Sequence, residues 1–261
     1  MSSDKNVERR LRLSSPTIYE IVSTEGQEEL SRPFSSLGWS GLAAGICISF
    51  SMLAEAYLKL HLPEGQDNFL LENIGYTVGF IIVITARLQL FTENTITVIL
   101  PLLERKIMRN FIRTAKLWTT VFFTNMVGTF LVAALVVFAG FATADQLGAI
   151  VDVSRHAVEG QPWDIFIRGI PAGFLIAALV WMMPSARGTE IFIIFLMTYL
   201  IAIGDFTHVV AGSAEAFVIA LTGDISWGAA FTYIGAAGAG NIIGGTGLFA
   251  LLTYAQVKDE M

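Results

Sequence analysis

Long uncharged stretches divide the chain into segments of membrane-spanning length. Three of them, 33–54, 117–144 and 225–257, lie between charged residues, and a fourth, 169–186, extends outward through 163–167. A transmembrane helix needs roughly 20 apolar residues to cross the hydrocarbon layer, and a charge at its centre costs about 2.5–3.5 kcal/mol. Each of the four stretches is therefore predicted to cross a membrane as one helix.

Two further apolar segments are interrupted near their middles. The first covers 73–86, stops at Arg87 and resumes over 95–103. The second covers 191–204 and resumes after a break over 204–213. Each piece is too short to cross alone, whereas each pair is long enough. We therefore predict an all-α polytopic membrane protein with six transmembrane helices, of which the second and fifth are broken.

The composition agrees with this class. Hydrophobic residues make up 54% of the chain and charged residues only 15%, against about 25% charged in soluble domains. The net charge of −6 offers no basic surface for nucleic acid. The single cysteine, Cys47, excludes an internal disulfide and a site of several thiolates. We predict no cofactor, no metal and no nucleic-acid partner.

The distribution of Lys and Arg predicts the orientation. With six crossings, twelve of these residues fall on the side of the termini, five of them in 1–32 and five in 105–116, while only Arg155 falls in the loops of the other side. By the positive-inside rule both termini are cytoplasmic, and we expect a bacterial cytoplasmic (inner) membrane. The predicted organisation is a cytoplasmic segment with a short amphipathic helix (1–32), a transport domain (33–257) of two repeats (about 33–140 and 163–257), and a cytoplasmic tail (258–261).

The two halves of the transport domain carry matching features. Asn125-Met-Val-Gly128 and Asn241-Ile-Ile-Gly244 lie 116 residues apart, and Thr92 and His208 in the two broken spans have the same separation. With three crossings each, the second half enters the membrane inverted. Inverted repeats with paired broken helices are typical of transporters and channels whose pathway lies at the repeat interface, because backbone freed from a helix must be buried or line a polar cavity.

Four motifs, in order along the chain, resemble the formate/nitrite transporter family. They are Leu90-Phe91-Thr92-Glu93-Asn94, Arg168-Gly169-Ile170 leading into Leu179-Val180-Trp181, Phe206-Thr207-His208-Val209-Val210-Ala211, and Gly240-Asn241-Ile242-Ile243-Gly244-Gly245. The resemblance covers roughly 30–257. It implies an aquaporin-like fold, a homopentamer with one pore per protomer, and passage of small monovalent anions such as formate, nitrite, hydrosulfide or short carboxylates, by a channel or with protons.

The chain departs from the family's motifs at several positions, so it resembles a divergent member. Gln89 and Thr207 stand where the family has glutamates, Glu93 replaces a loop glycine, and Gly212 replaces an asparagine. Pro171-Ala172-Gly173 stands in place of Leu-Cys-Asn. The fold is expected to survive these changes, whereas the selectivity is open to change.

His208 is the candidate at the centre of the pathway, since it is the one histidine well inside a predicted span. An ionisable residue there is a functional hypothesis by default: we expect it to hydrogen-bond the anion or share a proton with it. The alternative is a buried neutral histidine satisfied by local backbone. Thr92 is expected to bond to His208 or the substrate, or to cap a helix. Asn125 and Asn241 are expected to bond to the broken-helix backbone.

Apolar side chains near the breaks are candidates for constrictions. Leu90 and Phe91 in the first break would gate by excluding water. Tyr76 and Phe80 share one helical face and would form the outer constriction, and Phe206 joins the pathway through its place beside His208 in the motif. Ordinary packing is the alternative role for the aromatic rings.

Two arginines are assigned to the pathway. Arg87 near the middle of the second span would be costly unless paired or facing the pore. We favour a buried ion pair with an acid, for which the candidates are Glu55, Glu93 and Asp205; attraction of anions is the alternative. Arg168 at the outer end of the fourth span would add positive potential to the vestibule or anchor the helix at the headgroups.

Other functions fit the sequence less well. An aquaporin would carry Asn-Pro-Ala boxes, an ammonium channel would need paired intramembrane histidines, and a membrane enzyme would need a metal cluster or a nucleophile with its base, so we predict no enzyme. The remaining alternatives are a pore with altered selectivity, for a small neutral solute, and a structural or regulatory membrane protein. Membrane lipid is the other expected partner.

Overall fold

The computed structural model describes residues 12–63, 68–104 and 107–260, and its regular elements in these ranges are helices. In chain order they are α1 (Ser15–Ser31), α2 (Phe34–Ile48), α3 (Phe50–His61), α4 (Phe69–Glu72), α5 (Thr77–Thr85), α6 (Asn94–Thr97), α7 (Ile99–Glu104), α8 (Met108–Phe138), α9 (Ala144–Val158), α10 (Pro162–Met182) with a 3-10 turn (Met183–Ser185), α11 (Glu190–Ile203), α12 (Val209–Leu221), α13 (Trp227–Ile242), a π-helical stretch (Ile243–Ala250) and α14 (Leu251–Val257).

Four continuous helical stretches are long and apolar enough to cross a membrane, and they are the four uninterrupted spans that the sequence predicts. They cover Phe34–His61, Met108–Phe138, Pro162–Ser185 and Trp227–Val257. The first continues past its predicted end at residue 54 and takes Glu55 into the helix, where the side chain is buried. A charge in the sequence therefore marked the wrong boundary, because this carboxyl faces a cavity inside the protein.

The two predicted breaks are present, and their backbones match. Residues Phe69–Thr85 and Glu190–Ile203 form the short apolar helices before the breaks. Arg87 follows the end of α5 with φ 53°, and Asp205, 118 positions later, follows the end of α11 with φ 50°. This left-handed region is uncommon for residues other than glycine. The same turn therefore ends both half-helices.

Glycines bring the spanning helices into close contact in both halves. A Cβ built on Gly45 of α2 would lie 2.9 Å from Cα of Gly128 in α8. A Cβ on Gly169 of α10 would lie 3.1 Å from Cα of Gly240 in α13. Small residues at such crossings let the backbones approach within membranes, where apolar burial supplies little driving force. Each half is thus held by one closely packed helix pair beside its broken span.

The predicted N-terminal helix is α1, and it packs against the same chain. Tyr19 donates its hydroxyl to the carbonyl of Leu100 (3.2 Å), and Ser23 donates to the Glu104 carboxylate (2.7 Å). Burial and the neighbouring carboxylate of Glu104 raise the pKa of Tyr19 above its usual value, so its phenol stays neutral and keeps the hydrogen bond. Residues 1–11 of the predicted cytoplasmic segment lie outside the described residues.

Helix α9, between the third and fourth crossings, is an element that the prediction lacks. It begins with a capping box, in which the Thr143 side chain accepts from the Gln146 N–H and the Gln146 side chain accepts from the Thr143 N–H. Its buried face, which includes Ile150 and Val153, packs against α3 and α12. That capping box was the local signal for this helix.

Candidate functional site

The amide of Asn125 holds the first break. Its Nδ2 donates to the carbonyls of Gly41 (2.8 Å) and Gln89 (2.9 Å), and its Oδ1 accepts from the N–H of Phe91 (2.9 Å). The side chain is fully buried. Three hydrogen bonds therefore satisfy the amide and tie the loop of the second span to α2 and α8.

The amide of Asn241 holds the second break in the same way. Its Nδ2 donates to the carbonyls of Gly169 (2.9 Å) and Thr207 (2.8 Å), and its Oδ1 accepts from the N–H of Val209 (2.9 Å). The two loop residues lie 118 positions after their counterparts beside Asn125. The predicted bonding of both asparagines to the broken-helix backbone is confirmed.

The two breaks meet at a hydrogen bond between Thr92 and His208. Oγ1 of Thr92 and Nε2 of His208 are 2.7 Å apart, and both side chains are buried. Nδ1 of His208 accepts from the N–H of Ala211 at 3.2 Å, so His208 caps the N-terminus of α12. A backbone N–H can only donate, so in the neutral ring the hydrogen-bond network assigns the proton to Nε2, which donates to the threonine.

Thr92 and His208 are partners across the breaks and are not equivalent positions of a repeat. The loop bonds match at a separation of 118 residues, so the counterpart of His208 is Leu90. The shared separation of 116 residues was therefore a misleading guide to equivalence. The second loop is placed two residues later relative to its asparagine than the first.

Aromatic rings cover one side of the histidine. The Phe80 ring packs edge-on against His208 with centroids 4.9 Å apart, and the Tyr76 ring lies 5.2 Å from that of Phe80. Phe91 instead packs against the rings of Trp118 (5.6 Å) and Phe122 (5.0 Å) on α8. Leu90 is fully buried. Of the apolar residues that the sequence predicts, Phe80 thus contacts His208 directly, whereas Phe91 packs against α8.

A small cavity of about 50 Å³, which we call the carboxyl cavity, reaches His208 from the side of α3, α9 and α12. Four residues assigned from the sequence line it: Tyr76, Arg168, Phe206 and His208. Its wall also contains Glu55, Asp205, Glu215 and Tyr233. Sequence reasoning considered Glu55 only as an ion-pair partner and missed Glu215 altogether, although an acid inside the apolar second half of a broken span was a signal for it.

A larger cavity of about 580 Å³, which we call the N-terminal vestibule, opens beside α1. Charged residues of both signs line it, among them Glu25, Glu29, Arg87, Glu93 and Arg187. Arg87 lies here, whereas its counterpart Asp205 lies at the carboxyl cavity. The matching turns of the two broken spans therefore face different cavities.

The predicted buried ion pair of Arg87 is wrong. Its side chain is 71% exposed and its Nη2 lies 3.3 Å from a carboxylate oxygen of Glu25 on α1. Asp205 is paired instead with His156, at 3.0 Å. Because α5 ends at Thr85 and the left-handed turn follows at once, Arg87 points into the N-terminal vestibule. The first half-helix of the span ends before the arginine, whose side chain faces the vestibule, so the cost that suggested a buried partner is absent.

Arg168 lies at the carboxyl cavity, and only part of its guanidinium is hydrogen-bonded. Its Nη2 donates to the carbonyl of Glu159 at 2.6 Å. Its Nε is buried and has no hydrogen-bond partner among the described residues. The guanidinium is thus held at the rim with one donor unsatisfied.

These features define a polytopic membrane protein whose two broken helices meet at a buried histidine–threonine pair between two cavities. The profile of the family described as "Formate/nitrite transporter" matches residues 16–255. The chain belongs to this family, which confirms the resemblance found in the motifs.

Two relatives and two solved structures illustrate the match. The inner membrane protein YfdC of Escherichia coli is 39% identical over 97% of this chain and 82% of its own length. The formate channel FocA of Haemophilus influenzae is 27% identical over 77% and 74%. Among solved structures, an FNT family ion channel aligns with a TM-score of 0.79 at 17% identity over 92% of this chain and 98% of its own. A pentameric formate channel with formate bound aligns with a TM-score of 0.69 at 19% identity over 86% and 97%. Both solved structures share the helical fold of this chain.

Proposed function

We propose that the chain forms a channel or proton-coupled transporter for small monovalent anions, with formate, nitrite, hydrosulfide and short carboxylates as candidate substrates. The observation that carries the proposal is the buried Thr92–His208 hydrogen bond between the two cavities. It supplies polar groups in a buried position, where a small anion would need partners in place of water. The relative named as a formate channel supports this class of substrate.

The pair offers the substrate a hydrogen-bond donor. If Nε2–H of His208 donates to Thr92, the threonine hydroxyl keeps its own proton for another acceptor. An anion is costly to desolvate unless it is hydrogen-bonded or protonated. We infer that Thr92 and His208 meet the substrate together, and that it passes them as a neutral acid.

Other side chains have supporting roles in this pathway. Leu90 and Phe91 would form the constriction toward the N-terminal vestibule, and Tyr76, Phe80 and Phe206 would form the one toward the carboxyl cavity. Their burial and their contacts with His208 or its neighbours support these assignments.

Charged and amide side chains complete the pathway. Asn125 and Asn241 would hold the two loops that line it, since each makes three hydrogen bonds to backbone. Arg87 and Arg168 would add positive potential at the two mouths, where each lines one cavity. We propose no chemical catalysis at any of these residues, so the chain would not be an enzyme.

We propose that both termini are cytoplasmic in a bacterial inner membrane. The excess of Lys and Arg on the side of the termini supports this orientation. The N-terminal vestibule would then open to the cytoplasm and the carboxyl cavity to the opposite side. The relative named as an inner membrane protein supports the compartment.

We further propose a homopentamer in contact with lipid. Large apolar side chains are widely exposed on the single chain, among them Phe34, Trp39, Met108 and Phe138, each at least 69% exposed. Such a surface needs lipid or other subunits to cover it. The solved structure of a pentameric formate channel, which shares the fold, supports this assembly.

A pore for a small neutral solute is the second candidate, because two carboxyl side chains, Glu55 and Glu215, line the carboxyl cavity. Negative charge there would repel an anion.

Uptake by proteoliposomes separates the candidates: formate, nitrite and hydrosulfide are tested beside uncharged urea and glycerol, with protein-free liposomes as the control. Faster entry of at least one anion supports the proposal. Entry of neutral solutes alone favours the second candidate, and background rates for all solutes favour a structural or regulatory role.

A further inference from the structure

Two acidic side chains lie inside the protein without a protein partner. Glu55 on α3 is 8% exposed and Glu215 on α12 is 3% exposed, and both line the carboxyl cavity. Across residues 12–63, 68–104 and 107–260, neither carboxyl group has a hydrogen bond or a salt bridge. Buried polar groups normally have partners, so this pair has a role other than holding the fold.

The basic groups nearby do not neutralise the pair. Lys59 is exposed, Arg168 donates to the carbonyl of Glu159, and His156 is paired with Asp205. Further acids add to the negative potential. The titratable and charged groups that face the two carboxyls from the surrounding helices and loops are Lys59, Glu72, Tyr76, His156, Arg168, Asp205, His208 and Tyr233.

Two ionised carboxylates at such a site would repel each other, with only the few water molecules of the cavity to screen them. Removing a charge from water without a partner is strongly unfavourable, and like charges in one site drive one of them to take up a proton. The cavity holds about 50 Å³, which is room for a few water molecules, and the described residues contain no group of three or more His, Cys, Asp or Glu side chains that could hold a metal ion. A proton is therefore the cation that this site would hold.

We infer that Glu55 and Glu215 together hold a proton in the carboxyl cavity and pass it to the incoming anion before it reaches His208. This inference rests on the proposed function. The O–H bond of the protonated carboxyl breaks, and an O–H bond forms on an oxygen of the carboxylate or nitrite substrate. The glutamate is left ionised and regains a proton from water at the mouth of the cavity.

The neutral acid then passes the Thr92–His208 pair and releases its proton to water in the N-terminal vestibule. One proton moves with each anion, so transport is electrically silent. In this order of steps the carboxyl pair supplies the proton that neutralises the anion. Without that proton, the acidic cavity would repel the anion.

Infrared spectroscopy of the purified full-length protein tests the proton directly. The wild type is expected to show a carbonyl band of a protonated carboxyl at neutral pH that Glu215→Gln or Glu55→Gln removes. Asp145→Asn, at an exposed acid outside the cavity, is the control and leaves the band unchanged. Retained helicity and oligomer size identify variants that fold. The inference is overturned if the band remains in both the Glu215→Gln and the Glu55→Gln variant. It is also overturned if the band responds to exchange of sodium, potassium or ammonium at fixed pH.

Formate accumulation under an imposed membrane potential tests the consequence. An anion that moves alone changes its equilibrium accumulation about tenfold for each 60 mV, because a unit charge gains about 2.3 kcal/mol per 100 mV. The wild type is expected to show no change. Accumulation that follows the potential overturns the proton step while anion transport still stands. Absence of uptake for every anion instead contradicts the proposed function, and the infrared result still decides whether the pair holds a proton.

Discussion

Thr92 and His208 come from different halves of the chain, and their side chains join the two broken spans at a single buried hydrogen bond of 2.7 Å. Each residue also depends on a separate asparagine anchor, because Asn125 and Asn241 hold the loops that carry them. The position of this polar pair is thus set by both halves at once. Small shifts of either half would change the distance, which makes the pair a sensitive reporter of the site.

Thr92→Val removes the hydroxyl with little change of shape, so the Nε2–H of His208 loses its partner in a buried site. We expect a loss of about 1–3 kcal/mol in stability, the cost of an unsatisfied buried polar group, and at least a tenfold fall in the rate of formate uptake. Thermal unfolding in detergent and proteoliposome flux measure the two effects. Thr92→Ser restores the hydroxyl and is expected to recover most of both. Equal behaviour of the valine and serine variants would contradict the role of this bond.

Asn125→Leu removes three hydrogen bonds, those to the carbonyls of Gly41 and Gln89 and the one from the N–H of Phe91. We expect destabilisation of about 3 kcal/mol or more, since each lost bond to a buried group costs about 1 kcal/mol or more. Asn241→Leu is expected to match it, because its bonding is the same. Chemical or thermal unfolding provides the comparison.

An aspartate at the same position supplies the control for this anchor. Asn125→Asp keeps an acceptor for the Phe91 N–H but offers no donor to the two carbonyls. If Asn125→Asp loses less stability than Asn125→Leu, the hydrogen bond from the Phe91 N–H contributes to the stability of the fold. Leucine variants as stable as the wild type would show that the amides do not hold the breaks.

Arg87→Gln removes a positive charge from the N-terminal vestibule and an exposed ion pair with Glu25. Exposed pairs contribute about 0–1 kcal/mol, so stability is expected to change little. Formate flux from that side is expected to fall a few-fold at low ionic strength and to match the wild type at high salt, because salt screens attraction at a distance. Arg113→Gln, an exposed arginine that does not line the vestibule, is the control. Unchanged flux at low salt would remove the anion-attraction role.

Gly128→Ala tests the close crossing of α2 and α8. The added Cβ would lie 2.8 Å from Cα of Gly45, so the two helices must separate. We expect destabilisation of about 1–3 kcal/mol, the usual cost of overpacking. Gly148→Ala, in helix α9 with open space around the new Cβ, is expected to stabilise by up to about 1 kcal/mol through helix propensity. Opposite signs in thermal unfolding would support the close packing, and a neutral Gly128→Ala would contradict it.

The spacing of charges predicted the four long spans and both breaks, because lipid excludes charge and limits helix length in a way that sequence shows directly. The same rule failed at Glu55 and overlooked Glu215, since a carboxyl can lie inside a span when it faces a cavity of the protein. Helix propensity and hydropathy do not report which way a side chain faces. Only the packing of α3 against α9 and α12 revealed the cavity.

The spacing of charged and apolar residues also could not predict which residues distant in sequence would pair. Arg87 pairs with Glu25, 62 residues earlier, and the pairing depends on α1 folding over the vestibule. The bonding of the asparagines was predictable in kind, because a buried amide in a membrane needs partners. The carbonyls that they choose follow from how two loops and two helix pairs pack together.

Stopped-flow formate uptake by His208→Phe tests the central claim most directly, because a larger apolar ring would fill the space beside Thr92 and remove the polar site. His61→Phe, at an exposed histidine outside both cavities, is the matched control. A pathway through the Thr92–His208 pair predicts a rate at the background of protein-free liposomes for His208→Phe and a wild-type rate for His61→Phe. A wild-type rate for a correctly assembled His208→Phe protein would contradict it.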